Sequence, residues 1–209
     1  MPYKCFLIEE TEEVVHEVIV CEDGTCPNFS CHRADAVIGK ATIPLGEEYP
    51  PVPRFTLDQV PTHCACGFEF SLAKRKYAGT GSGRMWRRVD TGEVQRRISD
   101  FPIGAMWRAD WYDLKKADAQ GRKLYGWDWD NQIDPPLVVK TPGGEWIIDS
   151  RASNCTLPVD RLHRCWVRHG EVPNITIDKN GHTCAAGAGS IMCGNYHGFL
   201  RNGYLTDGC

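Results

Sequence analysis

The chain has 209 residues, 42% of them apolar and 24% charged, with a formal net charge of −3. That length buries a sizeable core as one domain, or as a small metal-stapled lobe beside a larger body. The charge balance gives no global attraction to nucleic acid or to an anionic membrane, and no apolar run approaches the roughly 18 residues of a membrane span.

The opening reads as a β-hairpin. Lys4–Glu9 and Val14–Cys21 are apolar or alternating runs joined by an acidic turn. Seven acids fall between Glu9 and Asp23 with no Lys or Arg among them, which reads as a solvated face. Metal-type residues follow in two stretches, Cys26-Pro27-Asn28-Phe29-Ser30-Cys31-His32 and His63-Cys64-Ala65-Cys66-Gly67-Phe68, with an extended Pro50-Pro51-Val52-Pro53 linker between them. The second stretch has the form of half a zinc knuckle. A ligand, two spacers, a second ligand and Gly67 let the backbone turn tightly, so that its amides face a metal-bound sulfur. On that register the ligand set is Cys26, His32, His63 and Cys66, with Cys31 and Cys64 as substitutes. Four protein donors close a tetrahedral zinc, so the expected role of the metal is structural. The competing reading is buried thiols and surface histidines.

Residues 74–97 change character. Lys74, Arg75, Lys76, Arg84, Arg87, Arg88, Arg96 and Arg97 stand against only Asp90 and Glu93, with Tyr77 and Trp86 interleaved and Gly79–Gly83 read as a flexible loop. Basic residues, aromatics and a glycine loop suit a phosphate track on nucleic acid. The favoured reading is a solvated strand pair whose charges meet the acidic hairpin. Trp107 and Trp111 then share one face of a short helix expected over Ala109–Ala119, and Trp127 and Trp129 one face of a strand.

Beyond Asp134-Pro135-Pro136 the pattern is β. Leu137–Lys140 and Glu145–Asp149 flank Thr141-Pro142-Gly143-Gly144, a hairpin signal, and Asn180-Gly181 and Asn202-Gly203 mark further turns. His163-Arg164-Cys165 and His182-Thr183-Cys184 repeat a His-x-Cys spacing, with Cys155, His169, Cys193 and His197 also available. Three readings compete: a second metal site, a Cys184–His182 nucleophile pair beside the Gly187–Ser190 amides, and packed residues of a β core. Packing is favoured, and no complete catalytic motif is present. Eleven cysteines behind an N-terminus without the basic and apolar regions of a signal peptide favour thiols and metal sites over disulfides.

The expected class is α+β, mainly antiparallel β with few short helices. A zinc-stapled lobe at 1–73 would pack on a β-rich body at 74–209, unless the two form one continuous domain. The segments Arg151-Ala152-Ser153-Asn154-Cys155-Thr156, His163–Glu171, Gly181–Ile191 and Tyr196-His197-Gly198-Phe199-Leu200 resemble a recurring protein family of tailed bacteriophages with no assigned activity. The resemblance implies a phage origin, hence host cytoplasm or virion, and names no reaction. Its pattern at the knuckle is similar to Cys-x-x-Cys-Gly, with His63 in the first place here. The expected function is a zinc-stapled structural or binding protein, non-catalytic, with protein partners of phage or host. The alternatives are a Cys/His- or metal-dependent hydrolase or transferase, and a nucleic-acid-binding accessory protein.

Overall fold

Two strands open the chain, β1 (Tyr3–Lys4) and the 17-residue β2 (Phe6–Glu22). The expected hairpin is therefore absent, and the acidic residues ride inside one long strand. Glu9–Glu13 contains no Gly, Pro or Asn to supply a turn, and the Thr11 hydroxyl donates to the Met85 carbonyl at 3.1 Å. Phe6, Ile8, Val14, Val15, Val18 and Val20 are buried along the strand, while Glu9 and Glu12 stay exposed. The computed structural model describes residues 1–22, 33–64, 66–71, 75–109, 136–148, 152, 154–156, 165–181 and 184–208. The remaining strands are β3 (Arg33–Thr42), β4 (Arg75–Arg88), β5 (Val94–Gln95), β6 (Ala105–Arg108), β7 (Leu137–Thr141), β8 (Gly144–Ile147), β9 (Val167–His169), β10 (Thr176–Asp178), β11 (Ile191–Cys193), β12 (Tyr196–Arg201) and β13 (Tyr204–Asp207).

The architecture is β, mostly antiparallel. Helix among the described residues is confined to two single 3-10 turns at Leu57–Gln59 and Ile98–Asp100. No helix among them is long and apolar enough to cross a membrane. The short helix expected over Ala109–Ala119 lies, apart from Ala109, outside the described residues, as do Trp111, Trp127 and Trp129. Contacts divide the chain into a first unit of Met1–Glu9, Arg88–Glu93 and Ile98–Cys209, and a second of Glu10–Arg87 and Val94–Arg97. The boundary expected at 73/74 falls inside the second unit.

In the second unit β2 and β3 pair antiparallel from Glu13 with Thr42 to Cys21 with Arg33, with a register shift at His16/Glu17. β4 neighbours β2, and β5 pairs with the end of β4. The core gathers Val18, Val20, Ala36 and Val60, with Ile38 and Phe55 against them. Gly79–Gly83, expected as a loop, is continuous strand within β4. Pairing with β2 supplies the order that the glycines alone would not. The buried His16 fixes it further, through Nδ1 to Ser82 Oγ at 2.9 Å.

In the first unit the start of β2 runs parallel to β6, followed by the antiparallel order β6-β7-β8. A four-stranded antiparallel sheet has the order β1-β13-β12-β11, and β9 pairs with β10. Two turns follow their sequence signals. Pro142-Gly143 links β7 to β8, and Asn202-Gly203, with φ of 47° and 74°, links β12 to β13. The core joins Cys5, Met106, Leu137, Val139, Trp146, Ile175, Ile191, Leu200 and Leu205, among others.

Candidate metal centre

Three cysteines converge in the first unit. Cys155 lies after β8, Cys165 two residues before β9, and Cys184 between β10 and β11. Folding β9 onto β10, with His169 opposite Thr176 and Val167 opposite Asp178, draws the ends of that hairpin together. Cys184 Sγ then stands 4.0 Å from Cys155 Sγ and 3.7 Å from Cys165 Sγ, and all three sulfurs lie within 4.8 Å of one another. Two sulfurs on one tetrahedral zinc, at about 2.3 Å from the ion, are separated by about 3.8 Å. The triad therefore has the spacing that a single metal ion requires, and these three thiols could hold one.

The surroundings are apolar at the base and polar at the rim. Cys165 is 3% exposed and packs with buried Ala152 and Ala186, while Cys155 and Cys184 are half-buried. Burial pushes the Cys165 thiol up to about 12, against a hydrogen bond from the Ala152 backbone, and the Cys184 and Cys155 sulfurs push the same way as burial. Without a cation Cys165 is thus a neutral thiol. A dication reverses that preference, because metal binding releases the proton. Backbone contacts hold the loops in place. Cys155 N–H donates to the Ala152 carbonyl at 3.0 Å, Gly187 N–H to Asn154 Oδ1 at 2.9 Å, and Trp166 Nε1–H to the Ala188 carbonyl at 2.7 Å. Lys179 Nζ donates both to the Cys165 carbonyl and, at 2.7 Å, to that of Ala186. Its charge lies against the backbone that carries two of the sulfurs. Gly187 has φ of +69°, and a Cβ there would stand 3.0 Å from the Trp166 ring and 3.3 Å from Ala152.

The sequence singled out every residue of this triad but favoured packing for them. The His-x-Cys repeats were the available signal. Their histidines, His163 and His182, lie outside the described residues, so the Cys184–His182 pair is not placed. The other candidates of this region go elsewhere. Cys193 Sγ donates to the Glu145 carbonyl at 3.5 Å, His197 meets Ser190 Oγ at 3.0 Å, and His169 meets Asp178 at 3.0 Å.

Of the ligand set read from the N-terminal lobe, Cys26 and His32 lie outside the described residues, as does Cys31. His63 is exposed, with Nδ1 at 2.8 Å from the Thr62 hydroxyl. Cys66 is also exposed, and its closest described sulfur is that of Cys64, at 3.3 Å. Gly67 does supply the tight turn, with φ of +86°.

The basic segment is heavily committed to this chain's own acceptors. Arg84 is buried and donates to the carbonyls of Ile43, Pro44 and Glu47 at 2.8, 2.8 and 3.2 Å. Arg96 and Arg97 both bridge Glu17 and Asp35, and Arg88 forks onto Asp90 at 2.6 and 3.0 Å. Arg75 donates to the Val60 and Pro61 carbonyls, and Arg87 is exposed. Lys74, and the side chain of Lys76, fall outside the description. The pairing with acids of β2 and β3 is what the solvated-strand reading expects. Comparison with protein-family models, with curated proteins and with solved structures finds no match for this chain.

Proposed function

We propose that this chain is a zinc-stapled, β-rich structural or binding protein of a tailed bacteriophage, without catalytic activity. The observation that supports it is the convergence of Cys155, Cys165 and Cys184 within 4.8 Å from three separate stretches of chain. Zinc suits this set because thiolates are its preferred structural ligands and their spacing matches its tetrahedron. Bound there, the ion would cross-link three separate stretches of chain. Cys184 faces two sulfurs and the Ala186 carbonyl among the described residues, surroundings that suit a ligand better than a nucleophile. The phage origin rests on the C-terminal sequence resemblance, and a stapled α+β lobe at the N-terminus remains part of the reading.

Elemental analysis of the natively purified, reduced chain tests the metal. Bound zinc that falls by one equivalent in Cys165→Ala supports the proposal, and a metal content that Cys165→Ala leaves unchanged overturns it. Mass spectrometry of purified virions tests the structural role. Stoichiometric copies support a virion component, and absence from virions leaves only the intracellular version.

A further inference from the structure

The turn from Cys64 to Phe68 brings together a second pair of thiols. Cys64 is 6% exposed, Cys66 is open to solvent, and their sulfurs stand 3.3 Å apart. Cys64 Sγ accepts from the Cys66 thiol and from the Cys66 backbone N–H at 3.5 Å. The backbone closes around it. Cys64 N–H donates to the Phe68 carbonyl at 2.8 Å and Gly67 N–H to the Cys64 carbonyl at 2.9 Å. A Cβ at Gly67 would meet nothing within 4 Å, so glycine is needed there for its φ of +86° and not for room. His63 sits outside this cradle, bridged across to Glu69 and facing the Thr62 hydroxyl.

We propose that Cys64 and Cys66 are two thiolate ligands of a second zinc, and that Cys64 occupies the position which sequence spacing gives to His63. The inference stands apart from the Cys155–Cys165–Cys184 centre, since it uses other residues in the other unit. Three features carry it. The 3.3 Å separation is nearer the roughly 3.8 Å edge of a zinc tetrahedron than the roughly 2.05 Å of a disulfide. The amide donated to Cys64 Sγ is the contact from outside the coordination sphere that orients a ligand sulfur. The buried Cys64 sulfur accepts both bonds, and zinc entering between the sulfurs binds each as a thiolate, so the two thiols give up two protons to solvent. These two donors fill half of a zinc tetrahedron.

The test uses the full, reduced chain with zinc or cobalt(II) as the probe. Zinc content is expected to fall by one equivalent in Cys64→Ser and in Cys66→Ser, and to stay at the wild-type value in His63→Gln. Retention of full zinc by Cys64→Ser, or loss of an equivalent in His63→Gln, overturns the assignment. A Cys64–Cys66 disulfide in the native chain overturns it too. Alkylation of the wild-type chain guards against variants that fail to fold. Zinc is expected to slow iodoacetamide capture of the exposed Cys66 about tenfold or more, because a coordinated thiolate is a poor nucleophile. Equal rates with and without zinc refute the site. An unchanged metal content in Cys165→Ala alone would fault the other centre and leave this one standing.

Discussion

If zinc joins Cys155, Cys165 and Cys184, removing it should loosen the β9–β10 hairpin far more than the rest of the chain. The sulfur separations of 3.7 and 4.0 Å lie within a few tenths of an ångström of the roughly 3.8 Å that a tetrahedral zinc imposes. Those two edges therefore close onto the ion with little distortion. With free zinc at about a thousand times its dissociation constant, a ligand that prefers the native state contributes about 4.1 kcal/mol. Zinc held by thiols of the unfolded chain lowers that figure, so it is an upper value. For amides whose exchange requires opening of this region, the same energy corresponds to roughly a thousandfold slowing. The assay is amide hydrogen exchange read by mass spectrometry on peptides covering Val167–His169 and Thr176–Asp178, in buffered zinc and in chelator. Cys165→Ala removes the most buried of the three thiols and should abolish most of the response. Exchange that is indifferent to zinc in the wild type, or equally responsive in Cys165→Ala, would refute the reasoning.

Arg84→Met should destabilise the second unit by about 2 to 3 kcal/mol, because the carbonyls of Ile43, Pro44 and Glu47 lose a buried charged donor and the Tyr49 ring loses its cation. Urea unfolding measures it, and a loss below about 1 kcal/mol would contradict the assignment. Cys5 is buried and its thiol is pushed up to about 12, chiefly by burial and against a hydrogen bond from the Leu205 backbone. The unfolded thiol ionises near 8.5, so between there and about 12 the unfolded state loses a proton that the native state keeps. Stability contributed by Cys5 is thus full below about pH 8.5 and falls by up to about 1.4 kcal/mol per unit above it. Cys5→Ala should show a shallower alkaline loss in urea titrations at pH 8, 9 and 10, and identical slopes would count against this account. Gly143→Ala should cost on the order of 3 kcal/mol, because the added Cβ would stand 1.8 Å from the Cys193 carbonyl oxygen. A melting temperature within a degree or two of wild type would argue against that close approach.

Local chemistry was readable from the sequence wherever it decides the outcome. Asn202-Gly203 needs two residues at positive φ and obtains them, and Thr141-Pro142-Gly143-Gly144 forms the hairpin its composition demands. The acidic stretch Glu9–Glu13 reads as a turn by its charge alone, yet it is strand. A strand with one solvated face carries such residues readily, and nothing there bends the backbone. Gly79–Gly83 departs from its expected loop for the opposite reason, since flexibility in isolation says little about a segment held by β2. The triad illustrates a further limit. Each cysteine was noticed, yet their meeting depends on the β9–β10 register, which brings His169 against Thr176. At the knuckle, Gly67 sets the turn as read, but whether His63 or Cys64 meets Cys66 depends on where the Cys64 side chain points, and spacing does not encode that.

The pairing of β1 with β13 has a consequence for synthesis. Tyr3 lies opposite Leu205 and Lys4 opposite Tyr204, so β1 leaves the ribosome long before the strand it pairs with. Cys5, next in line, also donates its amide to the Gly203 carbonyl, at 2.7 Å. Until that partner emerges, the adjoining apolar residues Phe6 and Ile8 have no completed core to enter. Non-local closure of this kind is slow and leaves nascent chains prone to stray association. The second unit lies between the two partners in the chain and has its own core, so it can form while the ends are still apart. The order of translation thus assigns the first unit the later folding step, and any ribosome-stalled fragment ending before Tyr204 should lack its four-stranded sheet.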